Sequence, residues 1–271
     1  MLKILSKIKH FFIGLRDSLE KVPQISVETK NFSIGQTIKR RKILTYQSGS
    51  GPIKLLMLGG IHGNEVGTVK LLRYLVNWLN QNRHSDFTFY LIPCLNIDGY
   101  RKALKNPDYW GGGRIGRTNA NNVDLNRNFD VPSFQSKGDW IHGKNYSEKT
   151  QVFSGDEGNS EPETQALTSF IKKENIKIVL SFHNAGADIV GNPIDPAEKL
   201  AKIFSRISGY RYISPKEWQK FGQTGSSYEW CTLNKIALLE IEASNRYGSD
   251  WARQKPAIKM VFDEIAKDIK F

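Results

Sequence analysis

Residues 53–65 read Ile53-Lys54-Leu55-Leu56-Met57-Leu58-Gly59-Gly60-Ile61-His62-Gly63-Asn64-Glu65. The short apolar run reads as a buried strand. It stops at two glycines. From Val66 the period becomes helical, with Val66, Val69, Leu72, Val76 and Leu79 on one face of a helix over 66–79. His62 and Glu65 therefore fall at the strand's carboxyl exit, where open α/β sheets bind ligands. A His and a Glu three apart in a tight turn can converge on one metal ion. A loop histidine beside a helix-capping glutamate would give the same letters, so the pair needs company.

Outward from this stretch the alternation continues. Residues 88–94 (TFYLIPC), 176–182 (IKIVLSF) and 236–242 (IALLEIE) read as further buried strands. Ser160 and Glu163 form the pattern of a capping box, with Pro162 tolerated in the first turn of the helix they would open. Pro196 and Pro256 read as openings of helices over about 196–208 and 256–269. Strands alternating with helices predict one α/β domain with helices on both faces of a sheet. From Asn106 to about Asn159 there is little periodicity and much Gly, Asn, Ser and Asp. A stretch of that kind tends to line a site, either as an ordered wall or as a moving lid over 130–159.

The 271 residues are 39% hydrophobic and 24% charged, enough to bury a core and too apolar for disorder throughout. No 18-residue apolar run is present, so no transmembrane helix is expected. Two cysteines, Cys94 and Cys231, exclude a disulfide framework and a four-cysteine zinc site. They are compatible with a reducing compartment, and a cytoplasmic location is the expectation. Lys and Arg number 39 against 27 Asp and Glu, a net charge of +12. That suits an anionic substrate or an anionic membrane surface. No nucleic-acid-binding motif is present and the lysines are spread out, so no nucleic-acid partner is expected. Residues 1–22 form a basic amphipathic segment, with Leu5, Ile8, Phe12, Leu15 and Leu19 at helical spacing. Such a helix either packs on the domain formed by 23–271 or makes peripheral membrane contact. Its apolar run from Phe11 to Leu15 is too short for a signal peptide.

Company for His62 and Glu65 comes from three places. The strand at 177–183 ends in Ser181-Phe182-His183, so His183 sits at a second strand exit. Two His and one Glu are the ligand set of a catalytic zinc with one position open. The segment from Arg117 to Phe129 is dense in amide and guanidinium donors and carries a single acid, Asp124. Donors of that kind suit a carboxylate or an oxyanion. Glu240 and Glu242 put two carboxylates on one face of an apolar strand, which is costly without a partner or a function.

Together these segments resemble the zinc metallocarboxypeptidases, the carboxypeptidase A-like group, and within it the bacterial branch that contains murein peptide amidases. The resemblance runs in order from about Ser33 to the C-terminus. His62-Gly63-Asn64-Glu65 resembles the family's His-x-x-Glu zinc motif, and Asn96-Ile97-Asp98-Gly99-Tyr100 its Asn-Pro-Asp-Gly-Tyr turn with Ile97 for the proline. Val123-Asp124-Leu125-Asn126-Arg127-Asn128-Phe129, Ser160-Glu161-Pro162-Glu163-Thr164 and Ser181-Phe182-His183 resemble three further signatures. The resemblance implies a single α/β/α domain with a mixed, mostly parallel twisted sheet. It implies one Zn²⁺ held by His62, Glu65 and His183, and a peptide substrate, expected to be anionic. Arg117 then polarises the scissile carbonyl, while Asn126 and Arg127 hold the terminal carboxylate.

For the catalytic glutamate, periodicity leaves Glu240 and Glu242 open. The distance to Arg246-Tyr247-Gly248 favours Glu240, with Glu242 a supporting or pocket residue. The family's substrate-capping tyrosine aligns with Phe221, which has no hydroxyl, and the pocket-floor position aligns with Tyr228. Both are expected to contact substrate, and neither suits a digestive-type specificity. The activity implied is hydrolysis of an amide bond next to a free carboxylate, with the γ-D-glutamyl–diaminopimelate bond of murein peptides as the leading substrate. A general carboxypeptidase, a desuccinylase- or aspartoacylase-type acylase, and a non-catalytic surface-binding module are the alternatives.

Overall fold

A computed structural model describes residues 21–26, 29–82, 84–106, 114–142 and 146–268. Of the basic segment expected over 1–22, only Lys21 and Val22 fall within the described residues. The chain forms β1 (Asn31–Gln36), β2 (Lys42–Ser48), β3 (Ile53–Leu58), α1 (Val66–Gln81), β4 (Phe87–Ile92) and α2 (Ile97–Leu104). A 3₁₀ turn (Leu125–Arg127), β5 (Lys137–His142), β6 (Glu148–Phe153), α3 (Pro162–Glu174), β7 (Ile178–Asn184) and β8 (Asp188–Gly191) follow. The last part holds α4 (Ala197–Ser208), β9 (Arg211–Tyr212), α5 (Pro215–Gln219), α6 (Ser227–Leu233), β10 (Ala237–Ala243) and α7 (Trp251–Asp268).

Eight strands make one mixed sheet in the order β1-β2-β4-β3-β7-β10-β8-β9. At its centre β4, β3, β7 and β10 lie side by side and parallel. β1, β2 and β8 join antiparallel, and β9 pairs parallel with β8. The period of two sorts each central strand between the layers. Ala237, Leu239 and Ile241 of β10 pack with the apolar faces of α1, α4 and α7, as do Ile178, Leu180 and Phe182 of β7. Leu238 and Val179 face the opposite layer, with Leu167, Phe170 and Ile171 of α3 and Trp230 of α6. Ser181, His183, Glu240 and Glu242 share that second face, at the carboxyl ends of their strands.

Two helix starts differ from expectation. α3 begins at Pro162 with Glu161 as its N-cap and no capping side chain. The Ser160 hydroxyl bonds Glu161 instead, and Glu163 is buried where Asn119 Nδ2 reaches both Glu161 Oε2 (2.6 Å) and Glu163 Oε2 (3.2 Å). The asparagine-rich turn has taken the carboxylate that a capping box would use. α7 starts at Trp251, five residues before the proline read as its opening, so Pro256 lies inside it. Its first turn is set by the Asp250 carbonyl, which accepts from Arg253 and Gln254, and Trp251 stacks on Tyr74 at 5.4 Å. The aperiodic stretch after Asn106 contains β5 and β6, an antiparallel pair separate from the main sheet. Among the described residues no helix is long and apolar enough to cross a membrane.

Candidate active site and metal centre

The turn after β3 leaves no room for a side chain at Gly63. A Cβ there would collide with the Tyr100 amide nitrogen and the Gly116 carbonyl. Packed in this way, the turn presents His62 and Glu65 beside His183 at the end of β7. Ligand atoms of the three lie within 4.8 Å of one another, and all three residues are buried. His62 Nδ1 is 2.9 Å from Glu65 Oε1, and His183 Nδ1 is 3.3 Å from Glu65 Oε2. Glu65 Oε2 is buried without a well-aligned hydrogen-bond donor. A buried carboxylate whose two oxygens each face an imidazole nitrogen fits a divalent cation.

The outer contacts orient these ligands. Asp124, fully buried, lies 3.1 Å from His62 Nε2 and accepts from Arg117 Nε at 2.9 Å. Burial alone would raise the Asp124 carboxyl, but Arg117 and His62 hold it well below the usual carboxylate range. As an anion it keeps the proton on Nε2 and turns the Nδ1 lone pair inward. Ser181 Oγ, 3.0 Å from His183 Nε2, stands in the corresponding place on the other ring. Burial also opposes ionisation of Glu65, and the charge and hydrogen bonds of His62 and His183 pull it far down.

Around the three lies a cavity of about 560 Å³ that Arg117, Asn126, Arg127, Glu240 and Glu242 also line. The Arg117 guanidinium is fixed by Asp124 and by the Trp140 ring, 4.4 Å beneath it. Arg127 donates from Nε to the Asp139 carbonyl (2.7 Å) and from Nη1 to the Asn126 carbonyl, leaving Nη2 to the cavity. Asn126 Oδ1 accepts from the backbone nitrogen of Ser227 (2.9 Å), which turns its amide nitrogen outward. The 3₁₀ turn carrying this pair packs on Gly225, whose φ of +66° and closeness to the Arg127 carbonyl exclude a side chain.

A family model described as zinc carboxypeptidase matches residues 17–265. The chain belongs to the zinc carboxypeptidase family. Bovine carboxypeptidase O is 32% identical over 257 residues, covering 82% of this chain and 66% of that protein. The chain spans from 13% to 66% of the first three curated relatives it matches. Among solved structures, murein-tripeptide amidase MpaA of Escherichia coli O157 aligns with TM-score 0.62 at 22% identity, over 91% of this chain and 94% of that one. Bovine thrombin-activatable fibrinolysis inhibitor aligns with TM-score 0.70 at 18% identity, over 96% and 97%. These two alignments bear on the fold, a zinc-carboxypeptidase-like mixed sheet with helices on both faces.

Within this zinc carboxypeptidase fold the two strand carboxylates have different neighbours. Glu242 is level with His183 in the parallel ladder, and Glu240 is level with Ser181, one step deeper. Glu242 is partly open to the cavity, and desolvation pushes it up to about 7 against the pull of His183. Glu240 is 4% exposed, and its Oε1 accepts from Ser227 Oγ at 2.8 Å. Phe221 and Tyr228 do not line the cavity of the metal ligands. Phe221 packs on Tyr146 and Trp218 (4.6 and 5.6 Å), while Tyr228 lines an adjoining cavity of about 510 Å³. The hydroxyl on the wall is that of Tyr146, donating to Asp188 (2.7 Å), which also accepts from Arg211 Nε (2.7 Å). Sequence reasoning did not reach Trp140, Tyr146, Asp188 or Ser227. Asp124 had a signal, as the lone acid among donors.

Proposed function

We propose that this chain is a metallocarboxypeptidase that hydrolyses the amide bond before a C-terminal residue. The observation that carries this reading is one cavity holding both the His62–Glu65–His183 cluster and the Asn126–Arg127 donor pair. Zinc, when bound, supplies Lewis-acid activation of water and of the scissile carbonyl. His62, Glu65 and His183 would hold it. The Asn126 amide and Arg127 Nη2 would grip the terminal carboxylate, a task suited to a planar guanidinium. Arg117 would face the carbonyl oxygen as negative charge develops there. The Arg-Tyr-Gly spacing points to Glu240, which lines the same cavity, and its charge acts on both Arg127 and His183. Glu240 would take a proton from the attacking water on a carboxylate oxygen and hand it to the departing amine, with Glu242 a supporting residue beside it.

For the substrate we infer murein peptides cut between γ-D-glutamate and diaminopimelate. The full-length match to the fold of a murein-tripeptide amidase supports this, as do a net charge of +12 and arginines in the cleft. The test is mass spectrometry of products from zinc-loaded protein given L-Ala-γ-D-Glu-diaminopimelate beside ordinary peptides ending in Lys, Phe or Glu. Release of diaminopimelate alone is expected. Release of ordinary residues with the tripeptide left intact makes the chain a general carboxypeptidase. In the same assay Glu240→Gln should lower turnover by about 10²–10⁴ with zinc retained, and more than Glu242→Gln does. Normal turnover in Glu240→Gln would remove Glu240 from the proton step.

A further inference from the structure

Arg211 lines the cavity of the metal ligands and has no part in the chemistry above. Its guanidinium is held in the same way as that of Arg117. Arg117 Nε donates to a buried aspartate, Asp124, and the Trp140 ring lies against its face. Arg211 Nε donates to Asp188 (2.7 Å), a residue only 5% exposed, and its Cζ lies 6.0 Å from the centre of the Tyr146 ring. The other Asp188 oxygen accepts from the Tyr146 hydroxyl, so ring, carboxylate and guanidinium fix one another. The hydrogen bond to Asp188 also pushes the guanidinium pKa up, so the group stays charged. Among the described residues neither Nη group of Arg211 has a hydrogen-bond or ion-pair partner. A guanidinium fixed at Nε with both Nη groups open is suited to a carboxylate.

The sheet register gives its position. His183 is level with Glu242, Glu242 with Asp188, and Asp188 with Arg211, across β7, β10, β8 and β9. Three strand spacings, roughly 14 Å, thus separate the backbones of a metal ligand and this arginine. The side chains fill part of that gap, which leaves a few bonds of substrate between the cluster and the guanidinium. Asn126 and Arg127 stand elsewhere on the wall, on the 3₁₀ turn, and among the described residues no hydrogen bond or ion pair joins them to Arg211. One cavity therefore offers two separate carboxylate grips. A ligand with a single carboxylate can use only one of them.

We infer that Arg211 binds a second carboxylate of the substrate, distinct from the terminal carboxylate held by Asn126 and Arg127. The inference rests on the carboxypeptidase reading above and narrows its substrate class to peptides with a further acid group close to the scissile amide. In the murein tripeptide two groups have that chemistry: the α-carboxylate of the γ-linked D-glutamate and the far carboxylate of diaminopimelate. Asp188 offsets part of the guanidinium charge, and the Arg211 side chain is 54% exposed, so the effect is that of one charge-assisted contact at a rim.

The test gives zinc-loaded full-length protein L-Ala-γ-D-Glu-diaminopimelate and two analogues that each lack one carboxylate. In one, D-isoglutamine replaces D-glutamate and turns the α-carboxylate into an amide. In the other, lysine replaces diaminopimelate and removes the far carboxylate. The parent should exceed one analogue by about tenfold in kcat/KM, the scale of one charge-assisted hydrogen bond. Arg211→Gln should abolish that preference and leave kcat/KM on the same analogue within about twofold of wild type. The analogue that shows the preference identifies which carboxylate Arg211 holds. Equal rates on all three peptides in the wild type would overturn the inference. So would an equal fall on all three in Arg211→Gln, which would leave Arg211 only the task of tying β9 to β8. A second arm needs no turnover. Calorimetry in Glu240→Gln should show the same preference as tighter binding of the parent, lost when Arg211→Gln is added at unchanged zinc content and circular dichroism. Absence of any hydrolysis by the wild type would defeat the carboxypeptidase reading, and the calorimetry would still decide the role of Arg211. Equal binding of the three peptides, or no binding of any, would rule that role out.

Discussion

The two faces of the central sheet are made by the same strands and are used differently. On β10, Ala237, Leu239 and Ile241 point into an apolar layer closed by α1, α4 and α7. Leu238 begins the opposite face in the same manner, but Glu240 and Glu242 replace it further along. β7 does likewise, with Val179 followed by Ser181 and His183. The first face is apolar until Asn184, the last residue of β7. The second is apolar only up to the carboxyl ends of the strands, where charged and polar groups are buried in mutual contact. Stability is concentrated on one side of the sheet and chemistry on the other, with one backbone setting the register of both.

Substitutions on the two faces should therefore dissociate. The largest effect is expected from His183→Ala. It should lose stoichiometric zinc by elemental analysis and lose detectable turnover, while the zinc-free protein melts within a few degrees of zinc-free wild type. A collapse of the fold in that variant would mean that the two faces form one cooperative unit. Leu239→Ala should do the converse. Its buried side chain lies in the dry layer, and its loss should cost about 2–5 kcal/mol in denaturant unfolding with zinc content and kcat kept near wild type. A large fall in kcat there would show that the apolar layer also positions the site. The smallest effect is expected from Lys259→Ala on α7, which breaks an exposed i,i+4 pair with Asp263 at 2.8 Å. Within about 0.5 kcal/mol of wild type is the expected stability, since such pairs contribute little.

How legible each face was in the sequence follows from the same division. The strands expected over 53–59, 88–94, 176–182 and 236–242 are the central parallel strands β3, β4, β7 and β10, because unbroken apolar runs are a local signal. His62, Glu65 and His183 were legible because strand exits can be read from the chain. Periodicity did not separate Glu240 from Glu242, since a period of two puts both on one face, and the distance to Arg246-Tyr247-Gly248 is what singles out Glu240. Only the pairing with β7, a contact across about sixty residues, sets them at different depths. Trp140, Tyr146 and Asp188 reach the cavity from β5, from the turn before β6 and from β8, with no spacing that marks them. Phe221 and Tyr228 were placed by alignment to a pocket, and the cavity wall here is built by Tyr146 and Trp218 instead. Pro256 read as a helix start because the preceding turn is held by backbone bonds and a stacked Trp251, which carry no capping motif.

Gly63 has a mechanical consequence. Its α-carbon lies against Tyr100 and Gly116, and Gly116 in turn lies against Gly99, so three chain segments meet with no side chain between them. His62 grows from one of these segments and Arg117 from another. The spacing between a metal ligand and the guanidinium that faces the substrate is thus gauged by bare peptide units. Such a gauge has no rotamers to hop and almost no compliance. Side chains elsewhere in the cleft can adjust to different substrates while this one separation stays fixed.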